Sequence, residues 1–304
     1  MALLFQNHEV YTFLSLHQEL SSCNIVQWII DHKIVTPYVK CPICKSEMKL
    51  NVNNAELRCS KRGCNKRQSI FANTFFFDSK LSKIIIFEIL YCWLWKYPAA
   101  TIIHELGIGK ETFANYSTYF RELCFEFCSL SQGNVKIGGE GHIVQVDEMC
   151  VGRRKYNVGR IAAYGQKWFF GGIDTVTKEV FYVFVPNRSA EVLMEEIEKH
   201  VLPGSVIHTD GWRGYVHVED EFEHYVVNHK KRFVADDGTH TQAIEATNGA
   251  VRRLLRRNGT NLEEHLNLYF FEYIWRKKNL NADDIFQKFL RDWSILEQVS
   301  SNPF

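Results

Sequence analysis

Three carboxylates sit where a chain tends to place groups that hold a metal. Asp147 ends the run IVQVDE, Asp210 ends VIHTDG, and Glu245 lies just inside HTQAIEATNGAVRRLLRR. Hard divalent cations take oxygen ligands and keep open positions for water and phosphate. Two such ions ~3.5–4 Å apart can activate an attacking oxygen and stabilise the leaving one at phosphorus. An aspartate before a glycine is, taken alone, a turn residue or a helix cap. Three acids at the ends of separate elements point instead to one shared site. Glu148, beside Asp147, faces the other way by strand alternation and reads as structural.

A second chemistry is carried by CPICKSEMKLNVNNAELRCSKRGC. Cys41 and Cys44 form a tight knuckle, and Cys59 and Cys64 form a looser pair. A hairpin turning at Asn53-Asn54 would bring the two pairs together. Four thiolates so placed make a closed tetrahedral zinc site, which can hold a segment too small to bury its own core. Cys23, Cys92, Cys124, Cys128 and Cys150 lack such spacing and read as mostly buried thiols.

The elements that position these groups follow from periodicity. Residues 1–38 read as an N-terminal helical segment and 39–70 as the zinc ribbon. Residues 79–130 read as a helical region resembling a helix-turn-helix, with a turn at Gly107 and Lys110, Thr112 and Asn115 early on the second helix. After a glycine-rich stretch the texture changes to strands. Over 140–279 these are HIVQVDEM, KWFFGGIDT and EVFYVFV, a helix from Ser189, the strand SVIHT, an aromatic-rich helix, the strand EHYVVNH and a long helix from about Thr241 to Arg257. A C-terminal helical tail covers 280–304. The three acids converge only if the first and fourth strands are neighbours with the last helix packed on them, which is an RNase H-like mixed α/β sheet.

Composition narrows the partners. The 304 residues carry a net charge of only +1, so the chain is not a uniformly basic nucleic-acid binder. The charge is nevertheless clustered, in KRGCNKR, RRK at 153–155, HKKR at 229–232, RRLLRR and WRKK, which favours an anionic partner. No apolar run is long enough to span a membrane, and the N-terminus lacks a signal-peptide pattern, so an intracellular protein is expected. Arg153, Arg154 and Lys155 are placed to track the phosphates of a cut strand, and His229, Lys230 and Lys231 to contact backbone phosphate. Each run reads equally as a solvated face.

CPIC, VDEMCVGRRKYNVGR, WFFGGID, LPGSVIHTDGWRGY, VVNHKKRFV and GTHTQAIE occur in an order and spacing similar to the Merlin family of transposases, and more loosely to bacterial relatives with an ISXO2-like catalytic domain. The resemblance covers about Cys41 to Trp275. It implies a DDE transposase with Asp147, Asp210 and Glu245 as the triad, magnesium or manganese in the catalytic site, structural zinc, and double-stranded DNA as partner. A homodimer or larger assembly would pair two transposon ends, in the nucleus of a eukaryotic host or otherwise in the cytoplasm and nucleoid. Trp212 and Tyr215 would begin a helix supporting the second acid. Relatives usually carry tryptophan three residues after the last acid, whereas this chain has Asn248 and then Gly249. That departure leaves open a host-adopted DNA-binding protein without transposition activity. A nuclease that cuts without joining is the third reading.

Overall fold

Ten residues with an apolar stripe open the described chain as helix α1 (Phe13–Ser22), and its first turn is closed by a reciprocal cap between Thr12 and Ser15. Helix α2 (Ile25–Asp31) follows, capped by the Asn24 side chain. Three short strands, β1 (Met48–Asn51), β2 (Glu56–Cys59) and β3 (Arg67–Ser69), form an antiparallel sheet in that order. Alternation sorts its faces: Met48, Leu57 and Cys59 are buried, while Lys49, Arg58 and Arg67 are exposed. Helix α3 (Lys83–Leu94) is buried continuously from Ile86 to Leu94, as an all-round apolar helix must be. Helices α4 (Ala99–Glu105) and α5 (Lys110–Ser131) are joined by a turn in which Gly107 takes φ +61°, a conformation open to glycine without a steric cost.

The computed structural model describes residues 10–131, 136–151, 167–227, 241–257 and 266–301. They fall into two compact units, Met1–Phe127 with Asn281–Phe304, and Cys128–Leu280. Among the described residues no helix is long and apolar enough to cross a membrane. Cys23 is exposed and Cys150 half-buried, against the expectation of burial, whereas Cys92, Cys124 and Cys128 are buried.

The second unit is built on a five-stranded mixed sheet. Strand β4 (Ile137–Gly138) precedes β5 (Ile143–Val151), β6 (Lys167–Asp174) and β7 (Val180–Val185), and the last three form an antiparallel meander. Helix α6 (Ala190–His200), capped by the Ser189 hydroxyl, lays Leu193 and Ile197 on the sheet. It leads through β8 (Val201–Leu202), which pairs with β4, to β9 (Val206–Asp210) and β10 (Glu223–Val227). The sheet order is β10-β9-β5-β6-β7, with β9 parallel to both neighbours. The first and fourth strands of the unit's main sheet are therefore adjacent, as the RNase H-like reading required. Val144, Val146, Phe170, Ile207, Leu193 and Ile197 form the core on the α6 side.

Helix α7 (Gln242–Arg257) and helix α8 (Leu266–Lys278) belong to the same unit. Ile244, Thr247, Asn248, Val251 and Leu255 form the buried stripe of α7 at helical spacing. Phe270 of α8 stacks on Phe169 at 4.2 Å, so α8 covers the sheet face opposite α6. Helix α9 (Ile285–Ser301), the expected tail, packs into the first unit: Trp293 stacks on Phe76, and Phe289 meets Trp93 and Phe120 edge-on.

One expected element is different. The aromatic-rich stretch after Asp210 forms two 3₁₀ turns, Arg213–Tyr215 and Val218–Asp220, and not an α-helix. Gly211, Gly214 and the β-branched Val216 and Val218 interrupt helix propagation there. A Cβ at Gly214 would meet Leu193 and the Trp212 ring, so the close packing of this turn also excludes a larger residue.

Candidate active site

Parallel pairing sets the first two acids side by side. Ile143 faces Val206 and Gln145 faces His208 across β5 and β9, and the same offset carried two residues further puts Asp147 beside Asp210. Burial and the neighbouring Asp210 charge push the Asp147 carboxyl up to about 6. Asp210 Oδ1 accepts the Trp212 backbone N–H at 2.9 Å, which closes the turn immediately beyond the strand. Both acids lie at the carboxyl end of the parallel pair, where open α/β sheets gather their sites.

Glu245 comes from the first turn of α7, and the strand bearing Asp147 anchors that turn. Gln145, fully buried, accepts the backbone N–H groups of Ala243 and Ile244 at 2.9 and 3.1 Å. These are orphan donors of a helix N-terminus, which a buried side-chain oxygen satisfies. Glu245 is exposed and accepts the Thr241 hydroxyl at 3.1 Å. Among the described residues the cysteines are the group of candidate ligands that all lie within 4.8 Å of one another. The structure thus pairs Asp147 with Asp210 and docks the Glu245 turn on their sheet, while the three carboxylates are not drawn together to that separation.

Asn248 has a role that the sequence reading did not anticipate. It is buried, its Nδ2 donates to Asp147 Oδ2 at 2.8 Å, and its Oδ1 accepts the Tyr182 hydroxyl at 2.7 Å. Asp147, Gly171 and Tyr182 lie in one row across β5, β6 and β7. A methyl group at Gly171 would overlap the Tyr182 ring, so this glycine gives the ring its place over the strand. Asn248 therefore supports the first acid directly. The legible signals were a paired glycine inside a strand and a buried-phase glutamine in IVQVDE.

On the opposite sheet face Glu148 is buried beside the Tyr215 hydroxyl, and burial pushes its carboxyl up to about 7 against the pull of that hydroxyl. Near it, Arg188 lies between the rings of Trp168 and Trp212, 4.0 and 4.2 Å from their centres.

The four predicted thiols do converge. Cys41 and Cys64 sulfurs are 3.8 Å apart, and those of Cys44 and Cys59 are 3.4 Å apart. Tetrahedral ligands at a zinc–sulfur distance of ~2.3 Å stand ~3.8 Å from one another, so the donor set fits that ion. Lys110 and Asn115 are exposed and Thr112 is half-buried at the start of α5. Arg153, Arg154, Lys155, His229, Lys230 and Lys231 lie outside the described residues.

The family described as an ISXO2-like transposase domain matches residues 138–278, which contain all three acids. An uncharacterized transposase-like protein of Haemophilus influenzae is 33% identical over 102 residues, covering 33% of this chain and 82% of that protein. Among solved structures, the magnesium complex of the HTLV-2 integrase catalytic core in its trimeric form aligns at 18% identity and a TM-score of 0.31, over 47% of this chain and 88% of that one. A simian T-cell lymphotropic virus intasome bound to a PP2A regulatory subunit aligns at 13% identity and a TM-score of 0.31, over 60% and 66% of the respective chains.

Proposed function

The chain belongs to the ISXO2-like transposase family, and on that footing we propose that it is a DDE transposase of the Merlin group. It binds the terminal repeats of its element in double-stranded DNA, cuts a strand there and joins the freed 3′ hydroxyl to target DNA. Both steps are in-line displacements: an incoming oxygen forms a bond to phosphorus as the bond to the leaving 3′ oxygen breaks. Asp147, Asp210 and Glu245 would hold magnesium or manganese. Such ions supply positive charge at the reacting phosphate and its leaving oxygen. The observation that carries this reading is the juxtaposition of Asp147 and Asp210 on parallel strands, with the Glu245 turn anchored through Gln145.

The surrounding residues have supporting tasks. Asn248 holds one oxygen of Asp147 and so fixes the direction of the other. Zinc on Cys41, Cys44, Cys59 and Cys64 would pin a ribbon, and Lys110, Thr112 and Asn115 would present the second helix of a helix-turn-helix to DNA. Arg153, Arg154 and Lys155 would track the cut strand, and His229, Lys230 and Lys231 its neighbouring phosphates. Two copies or more would bring two ends together, in the nucleus of a eukaryotic host or the nucleoid of a bacterial one.

The test is to incubate the full chain with a labelled candidate transposon end and magnesium. Nicks at the element boundary and strand-transfer products are expected. Asp147→Asn, Asp210→Asn and Glu245→Gln should each abolish both while binding persists, without additivity between them. Cleavage undiminished in Asp210→Asn would refute the assignment. Binding without cleavage by the unmodified chain would favour the host-adopted DNA-binding protein.

A further inference from the structure

The cysteine-bearing sheet carries a feature that its own stability argues against. Register sets Lys49 directly opposite Arg58, and Arg58 directly opposite Arg67. Three cations thus cross β1, β2 and β3 in a single row about 10 Å long at the usual ~4.8 Å strand spacing. Like charges placed directly opposite destabilise a sheet. The row contributes nothing to the core, since the buried side chains are on the other face. Arg67 has Glu56 at 3.5 Å, with both side chains partly exposed. Lys49 and Arg58 have no ion pair or hydrogen bond from their side chains to the described residues.

The wider charge distribution points the same way. Residues 40–70 hold eight lysines and arginines against Glu47 and Glu56, a net +6 in a chain whose total is +1. The rest of the molecule is therefore net −5. A zinc-tetrathiolate centre would take back two of the local positive charges and leave the segment basic.

We propose that this exposed face is a docking surface for the phosphate backbone of duplex DNA, with Lys49, Arg58 and Arg67 as its contact row. Cations on flexible stems position a duplex through its phosphates and leave base reading to other elements. The residues sharing the face, Asn51, Glu56, Ser60 and Ser69 among them, include no aromatic ring on which unpaired bases could stack, which favours duplex over single-stranded DNA. The choice of DNA as the polyanion rests on the transposase reading. The surface itself rests on register and charge.

The test uses the full zinc-loaded chain and a short labelled duplex of arbitrary sequence, without magnesium, over a series of salt concentrations. Replacing Lys49, Arg58 and Arg67 together by Gln should lower the slope of log affinity against log salt by about 3. The wild type would then lose about 40-fold more affinity than the variant over a fourfold rise in salt. Removing the same charge elsewhere, at lysines outside every basic cluster, by Lys178→Gln, Lys199→Gln and Lys288→Gln, should leave the slope unchanged. The row variant should keep its zinc and unfold at the same temperature or higher, because it relieves like-charge contacts. If it loses zinc, the single Arg58→Gln is read in the same way, with a slope change of about 1. A wild-type slope in the row variants, an equal loss in the remote-charge control, or equal row-dependent binding of single-stranded DNA would overturn the proposal. Absence of cleavage with the slope change intact would sink the catalytic reading alone. Normal cleavage at low salt with an unchanged slope would sink this surface alone.

Discussion

Asp147 is the residue on which charge, burial and support converge. Its carboxyl is raised from an ordinary 3.8 to about 6 by burial and by Asp210, against the pull of the Asn248 amide. A raised acid binds its proton more tightly folded than unfolded. Its stabilising contribution is therefore complete below the unfolded value and lost as pH rises through about 6. The displacement corresponds to at most about 3 kcal/mol, and to less where water reaches the partly exposed carboxyl. Without added magnesium, Asp147→Asn should unfold at higher denaturant than the wild type at about pH 7.5 and match it near pH 4. Denaturant titrations at the two pH values decide this, and identical curves at both would contradict the origin given for the shift. The same site shows what one sequence could tell about one residue. Asp210 was legible because it ends an apolar strand, whereas Asp147, expected at a strand end, lies inside β5, which runs on to Val151 along its pairing with β6. The support of Asp147 was not legible, because Asn248 reaches it, and Tyr182 reaches Asn248, only after α7 and β7 have packed.

The decisive element contact is the seating of α7 on β5. Gln145 is a polar residue in a buried phase, and its oxygen takes two backbone donors that the helix cannot satisfy itself. Gln145→Leu keeps the volume and removes the acceptor, leaving the buried Ile244 N–H and the part-buried Ala243 N–H unpaired, at a cost of about 1–3 kcal/mol for a fully buried group and less for the other. Denaturant unfolding should register that loss, and cleavage should fall because the Glu245 turn loses its anchor. Unchanged stability would mean that water or another acceptor replaces the glutamine oxygen. The strands, α6, α7 and the cysteine hairpin were readable from period and spacing, since each owes its form to its own residues. The segment after Asp210 was misread because aromatic content suggested a buried helix. Gly211, Gly214 and close packing against Leu193 made 3₁₀ turns of it. The seating of α9 in the first unit was equally hidden, because Trp293 finds Phe76 across more than two hundred residues of chain.

Across the whole molecule, the chemistry divides between two places. A soft, closed set of four thiols sits in one unit, and hard oxygen donors at the end of a mixed sheet sit in the other. Softness sorts the metals in the same way, with zinc to thiolate and magnesium or manganese to carboxylate. The central claim is that Asp147, Asp210 and Glu245 form one metal centre, although their carboxylates do not yet meet within 4.8 Å. A crystal grown with manganese tests it most directly, by locating the ion through its anomalous scattering. The account predicts manganese bound by both Asp147 and Asp210, with Glu245 turned in to the same ion or to a second one beside it. Manganese absent from these aspartates at saturating concentration, or held there with Glu245 still bonded to Thr241 and remote from it in a DNA-bound complex, would contradict the account.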